Sequence, residues 1–198
     1  MSRIQIAVVG WGSLIWCPGS LQIKSAWHRD GPILPIEFAR ISKDGRLTRC
    51  HSSRQRRTDD TLGRCSSEDM NAVLESLRER EGTASRSIHS GTADGQFSNG
   101  VAKNVQDAIA RWLEEHREFQ GCVWTGLASN WKEKQKSDFS IPEVVRYLET
   151  LEDASRAREY IQNAPSQIQT AAREAIREQL RWNDAKLSPV LFVVDQIG

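Results

Sequence analysis

No stretch of this chain is apolar for long enough to cross a bilayer, neither sign of charge dominates it, and its cysteines form no motif. A membrane-spanning helix needs about 20 consecutive apolar residues. The run Ile4 to Val9 is far shorter and leads into glycines, and the amino end lacks a signal-peptide pattern. Twenty-seven basic residues against 26 acidic ones leave a formal charge of +1, so nothing global attracts nucleic acid or a membrane surface. Cys17, Cys50, Cys65 and Cys122 are scattered with no C-x-x-C pair, which fits reduced thiols in a cytoplasmic protein. His28, His51, His89 and His116 lack ligand spacing, and adjacent Cys50 and His51 point to opposite faces of a strand. No metal site is expected. With 198 residues and no internal repeat, the chain reads as a single domain over 1–198 with one core.

What is present is concentrated near the amino end. A hydrophobic strand, Ile4 to Val9, runs into Gly10-Trp11-Gly12-Ser13-Leu14-Ile15-Trp16-Cys17-Pro18-Gly19. Glycines there allow positive φ and close approach of a ligand to the main chain. Successive N–H groups in such a turn can converge on an anion or a polarised carbonyl oxygen. The plain alternative is a tight turn with no ligand. A G-x-G start also raises nucleotide binding, but Ile15 stands where G-x-G-x-x-G needs its third glycine, and no βαβ alternation follows.

A second motif lies further on. Ser66-Ser67-Glu68-Asp69 reads as a helix start, with Ser66 and Asp69 placed as a capping box. Met70, Val73, Leu74 and Leu77 form one apolar helical face, and Gly82 is the expected C-cap, which leaves Glu81 in the final turn. A partly desolvated carboxylate at the negative end of the helix dipole is suited to accept a proton. The alternative is a solvated charge within Arg78-Glu79-Arg80-Glu81.

Elsewhere, Ile33 to Ile41 and Arg46 to Cys50 predict a hairpin closed at Asp44-Gly45, with Pro35 at a strand edge or entry. Ser52 to Arg64 reads as a charged loop, and Ser85 to Gly100 as a loop with one short strand near Ile88. Val105 to His116 predicts an amphipathic helix, and Cys122 to Leu127 a strand. Residues 140–182 read as helices, opened by a Ser140–Glu143 capping box and interrupted at Pro165. Pro189 to Val194 predicts a buried final strand, and all the strands are expected in a single sheet or barrel. Arg40, Arg46, Arg49, Arg54, Arg56 and Arg57 suggest RNA binding, but no aromatic residues are interleaved among them.

The run Gly12-Ser13-Leu14-Ile15-Trp16, with Pro18-Gly19 after it, resembles the Tyr-Gly-Ser-Leu loop of the γ-glutamylcyclotransferase superfamily, and is most similar to its ChaC-type branch. Trp11 stands where that family has Tyr, and Thr83 to His89 lacks the Tyr that often follows the family's Glu-Gly pair. The resemblance covers Ile4 to about Gly82. It implies an α+β fold, a small mixed β-barrel surrounded by helices, with residues 140–182 as an extended helical segment packed on it. It further implies Glu81 as catalytic acid/base, Trp11, Gly12, Ser13 and Leu14 as substrate-binding residues, and a γ-glutamyl peptide or amine cyclised to 5-oxoproline. Neither a metal nor an organic cofactor is implied, and no nucleic-acid or membrane partner. A non-catalytic module gripping a small ligand or a protein on the same fold is the alternative.

Overall fold

The computed structural model describes residues 5–51, 57–59, 61–64, 67–166 and 168–182. In chain order these form β1 (Gln5–Gly10), α1 (Ser13–Trp16), β2 (Ile33–Ile41), β3 (Leu47–His51), β4 (Arg57–Asp59), β5 (Thr61–Arg64), α2 (Met70–Glu81), β6 (Ile88–Thr92), α3 (Lys103–Glu115) and β7 (Phe119–Thr125). Then follow α4 (Trp131–Gln135), α5 (Ile141–Glu149), α6 (Ser155–Asn163) and α7 (Ala171–Gln179). The fold is α+β. No helix among the described residues is long and apolar enough to cross a membrane.

The unbroken apolar run of β1 reflects burial on both faces. Alternate side chains leave a strand on opposite sides, so Ile6 and Val8 pack with Val73 and Leu77 of α2. Ala7 and Val9 pack on the other face with Ile109 and Trp112 of α3. All four strand residues are fully buried, which for each Val or Ile contributes roughly 1.5–3 kcal/mol. The sheet order is β5-β1-β7-β6, with β1 antiparallel to β5 but parallel to β7, in register Ala7 with Cys122.

The hairpin forms as expected, β2 against β3, but it belongs to a separate three-stranded sheet ordered β3-β2-β4. A single sheet or barrel was expected; among the described residues the strands form two sheets. The nine-residue β2 is long enough to serve two cores. Its Leu34 and Ile36 join the α3 cluster, while Phe38 and Ile41 join a second one built on α5, α6 and α7. Pro35 sits where β2 pairs only with β4, before the β3 ladder begins at Ile36. His51, at the end of β3, also makes an isolated parallel bridge with Ala128, just beyond β7.

Two other expectations change. The segment 52–64, read as a charged loop, contains β4 and β5. Both are edge strands, and main-chain pairing with apolar β2 and β1 supplies what their own polar sequence does not signal. The N-cap of α2 is Asp69, whose carboxylate accepts the Asn71 N–H at 2.9 Å. Ser66 lies outside the described residues, as do Cys65 and the expected strand Pro189–Val194; the described cysteines are free thiols.

Two buried ionisable side chains hold the helices after residue 140, one tying α7 to the hairpin and one closing the turn before it. Glu37 on β2 is fully buried, and its carboxylate accepts N–H groups of Phe38 at 2.7 Å and of Ala172, in the first turn of α7, at 3.4 Å. Burial raises its pKa, and hydrogen bonds from Thr170 and the main chain oppose that rise. Arg173 closes the α6–α7 turn by donating to the carbonyls of Ala164 at 2.7 Å, Pro165 at 2.6 Å and Ile168 at 3.0 Å.

Candidate active site

The turn out of β1 is built around Gly12, at φ 61° and ψ −141°, a conformation that L side chains essentially avoid. It lets the chain reverse into α1, whose Leu14 and Ile15 are buried against α2 through Val73 and Leu77. The docking sets the Gly-Ser loop beside the carboxyl end of α2. There Gly82 adopts the left-handed conformation at φ 57° and closes the helix, donating to Glu79 O at 3.1 Å. Glu81 is thereby fixed as the last helical residue.

The charged run at the end of α2 is split between two environments. Arg78 pairs outward with Glu75, and Glu79 is exposed. Arg80 and Glu81 turn inward, with side chains 13% and 17% exposed. Arg80 is a clamp: its Nη1 lies 2.5 Å from Glu81 Oε1, and its Nη2 donates to Ser13 Oγ at 3.1 Å and to Cys17 O at 2.6 Å. One guanidinium thus ties the helix end to the loop.

Trp11, Ser13, Leu14 and Glu81 line a single cavity of about 430 Å³, within the size range of small-ligand sites. Gly12 is beside it without lining it. Trp11 is buried edge-on against the His51 ring, with centroids 5.2 Å apart, and forms part of the wall. Burial, reinforced by His89 and Arg49, pushes the His51 imidazole down to about 4, so it is neutral near pH 7. Among the described residues no three His, Cys, Asp or Glu side chains gather as a metal site.

The rest of the wall comes from residues that the motifs do not contain. The hairpin contributes Arg40, Lys43, Asp44, Arg46 and Arg49, and α6 contributes Tyr160. Tyr160, one of two tyrosines in the chain, is 8% exposed, and a Cβ placed on Gly12 would fall 2.0 Å from its hydroxyl oxygen. Its ring is held edge-on by Trp16 and Phe38, with centroids at 5.5 and 6.3 Å. Burial raises its pKa, so the hydroxyl keeps its proton and can donate it in a hydrogen bond. A phenol is therefore present at the loop, delivered from the helical segment instead of from position 11. Nothing in the sequence signals this, because the i, i+3 pattern around Tyr160 reads only as a buried helix face. Arg80 was visible beside Glu81, but its reach to Ser13 is a tertiary fact.

Comparison of the chain with family models, curated proteins and solved structures finds no match.

Proposed function

We propose that the chain is a γ-glutamylcyclotransferase-like enzyme that converts a γ-glutamyl peptide or amine into 5-oxoproline and the released amine. The observation that carries this reading is the convergence of Ser13, Leu14, Trp11 and Glu81 on one cavity, with Arg80 locking the loop to the helix end. In this scheme Glu81 removes a proton from the substrate α-amino group. The nitrogen lone pair attacks the γ-carbonyl of the same molecule and closes a five-membered lactam. The old amide C–N bond breaks, and Glu81 returns the proton to the leaving nitrogen. Ser13 and Leu14, which line the cavity, offer main-chain N–H groups to the developing oxyanion, and the Tyr160 hydroxyl is a further donor. Much of the rate then comes from holding the substrate folded in the attacking conformer.

The barrel that the resemblance implies draws support from two features. His51 of β3 bridges to Ala128 just beyond β7, and β4 and β5 pair with different sheets although only one residue separates them in sequence. The short Arg80–Glu81 pair favours a second reading, a binding module in which Glu81 is an anchor for the loop. One assay decides: the protein is incubated with a panel of γ-glutamyl compounds, glutathione included, and 5-oxoproline is measured. Its release supports the enzyme. Tight binding with no release from any compound supports the module.

A further inference from the structure

Arg80 and Glu81 are neighbours on α2, and residues one apart on a helix do not face each other. The contact between them follows from how the Gly-Ser loop holds Arg80. The stem of the side chain lies against that loop, where a Cβ placed on Gly19 would fall 3.6 Å from Arg80 Cγ. At the head, Nη2 donates to two loop acceptors, Ser13 Oγ at 3.1 Å and Cys17 O, the carbonyl just past α1, at 2.6 Å. Nη1 is thereby turned to Glu81 and engages Oε1 at 2.5 Å. Ser13, Arg80 and Glu81 line the cavity together.

A planar guanidinium presents its N–H groups in a fixed fork, so the places of Ser13 and Cys17 on one nitrogen determine where the other meets Glu81. A carboxylate at the carboxyl end of a helix also faces the negative pole of the dipole, and a cation beside it offsets that repulsion. We propose that Arg80 is the positioning residue of the cyclisation. It holds Oε1 of Glu81 at a fixed offset from the Gly-Ser loop, so that Oε2 takes the substrate proton while the N–H groups of Ser13 and Leu14 meet the oxyanion. The Ser13 hydroxyl acts through Arg80 and not on the substrate. This inference rests on the cyclotransferase reading of the loop and Glu81.

The test measures kcat and KM for 5-oxoproline release from a γ-glutamyl compound that the parent turns over. The variants are Arg80→Gln, Arg80→Lys, Ser13→Ala and the pair Ser13→Ala with Arg80→Gln. Arg78→Gln is the control: it removes a cation from the same last turn, one that pairs outward with Glu75, and should match the parent. Arg80→Gln should lower kcat roughly 10–100-fold, the cost of a misplacement of about 1 Å. KM should stay unchanged, as it does when an interaction is lost only in the transition state. Arg80→Lys keeps the charge without the fork and should recover little of the loss. Ser13→Ala should lower kcat severalfold in the parent and not at all in Arg80→Gln, where the hydroxyl has already lost its partner. Three results overturn the proposal: a raised KM with kcat preserved, full activity in Arg80→Lys, or additive losses in the pair. Should Arg80→Gln fail to fold, Ser13→Ala decides alone, a lower kcat at unchanged KM supporting the proposal and parent kinetics overturning it. The two readings fail separately. No 5-oxoproline from the parent with any compound removes the cyclotransferase, and this role with it. Release that the Arg80 variants match removes only the role of Arg80.

Discussion

The two walls of the cavity are built by different means. The loop–α2 wall is assembled from two short stretches, and its geometry is fixed close to home: a positive-φ glycine, a left-handed C-cap and one arginine that joins them. The hairpin wall is held from far along the chain. Asn130 exchanges two hydrogen bonds with Ile41, each 2.8 Å, and Ser129 Oγ donates to Ala39 O at 2.5 Å. Tyr147 Oη donates to Gly45 O in the turn, also at 2.5 Å. A wall with local scaffolding can carry a motif; one shaped by distant segments leaves no compact signature. On the proposed reading the first wall does the chemistry and the second encloses the substrate.

Four changes separate the walls, taken from the largest expected effect to the smallest. Glu81→Gln keeps the size of the side chain and removes the base, so turnover of a γ-glutamyl substrate should fall roughly 10²–10⁴-fold with the circular dichroism spectrum unchanged. Exposed Glu79→Gln is the control and should behave like the parent. Equal turnover in both variants would reduce Glu81 to an anchor.

Gly12→Ala attacks the place where the walls meet. It forces an L residue to φ 61° and pushes a methyl group into the Tyr160 hydroxyl, so unfolding free energy should drop by about 3 kcal/mol. Adding Tyr160→Phe should restore part of the loss, because it removes the nearest clashing atom. No recovery in the double variant would mean that the strain is all in the backbone.

Acid should act on the hairpin wall through His51, whose ring nitrogens are buried without a hydrogen-bond partner among the described residues. The folded imidazole is held down to about 4 against an ordinary 6.5. An unfolded chain takes up the proton first as pH falls. The contribution to stability is therefore complete above pH 6.5 and drains away toward pH 4, by up to about 3 kcal/mol. Urea unfolding of the parent and of His51→Gln at pH 7 and pH 4.5 checks this, the variant showing the smaller loss. Identical losses would remove His51 as the cause. The smallest effect is expected of Tyr147→Phe, which deletes one bond to the hairpin turn and costs about 1 kcal/mol. It should weaken substrate binding more than it slows turnover; a loss confined to turnover would contradict the division between the walls.

What was legible follows the same division. Strands β1 and β7, the hairpin, and helices α2, α3, α5, α6 and α7 all announce themselves through apolar period, because each has a face that must be buried. Backbone punctuation marks the Gly-Ser loop and the end of α2 separately; that the two converge is what the family resemblance implies, not what either motif signals. β4 and β5 could not be anticipated, because an edge strand borrows its hydrogen bonds from a neighbour and needs no apolar stripe of its own. Neither could the placement of Tyr160 over Gly12, nor the sorting of Arg40, Arg46 and Arg49 into a cavity wall. Those depend on Glu37 capping α7 and on Arg173 closing the turn before it, two buried charges whose partners are chosen only in three dimensions.

The parallel pairing of β1 with β7 also sets an order of assembly during synthesis. The first strand of the sheet meets its central partner over a hundred residues later in the chain. Until that partner is made, β1 lacks its parallel hydrogen-bonding neighbour, although α2 and α3, which pack on its two faces, come before β7 in the chain. Non-local pairing of this kind slows folding, because the closure entropy of a long loop is spent before any contact rewards it. Tyr160 emerges later still, so the nascent chain carries the Gly-Ser loop and Glu81 long before it has a finished pocket to put them in.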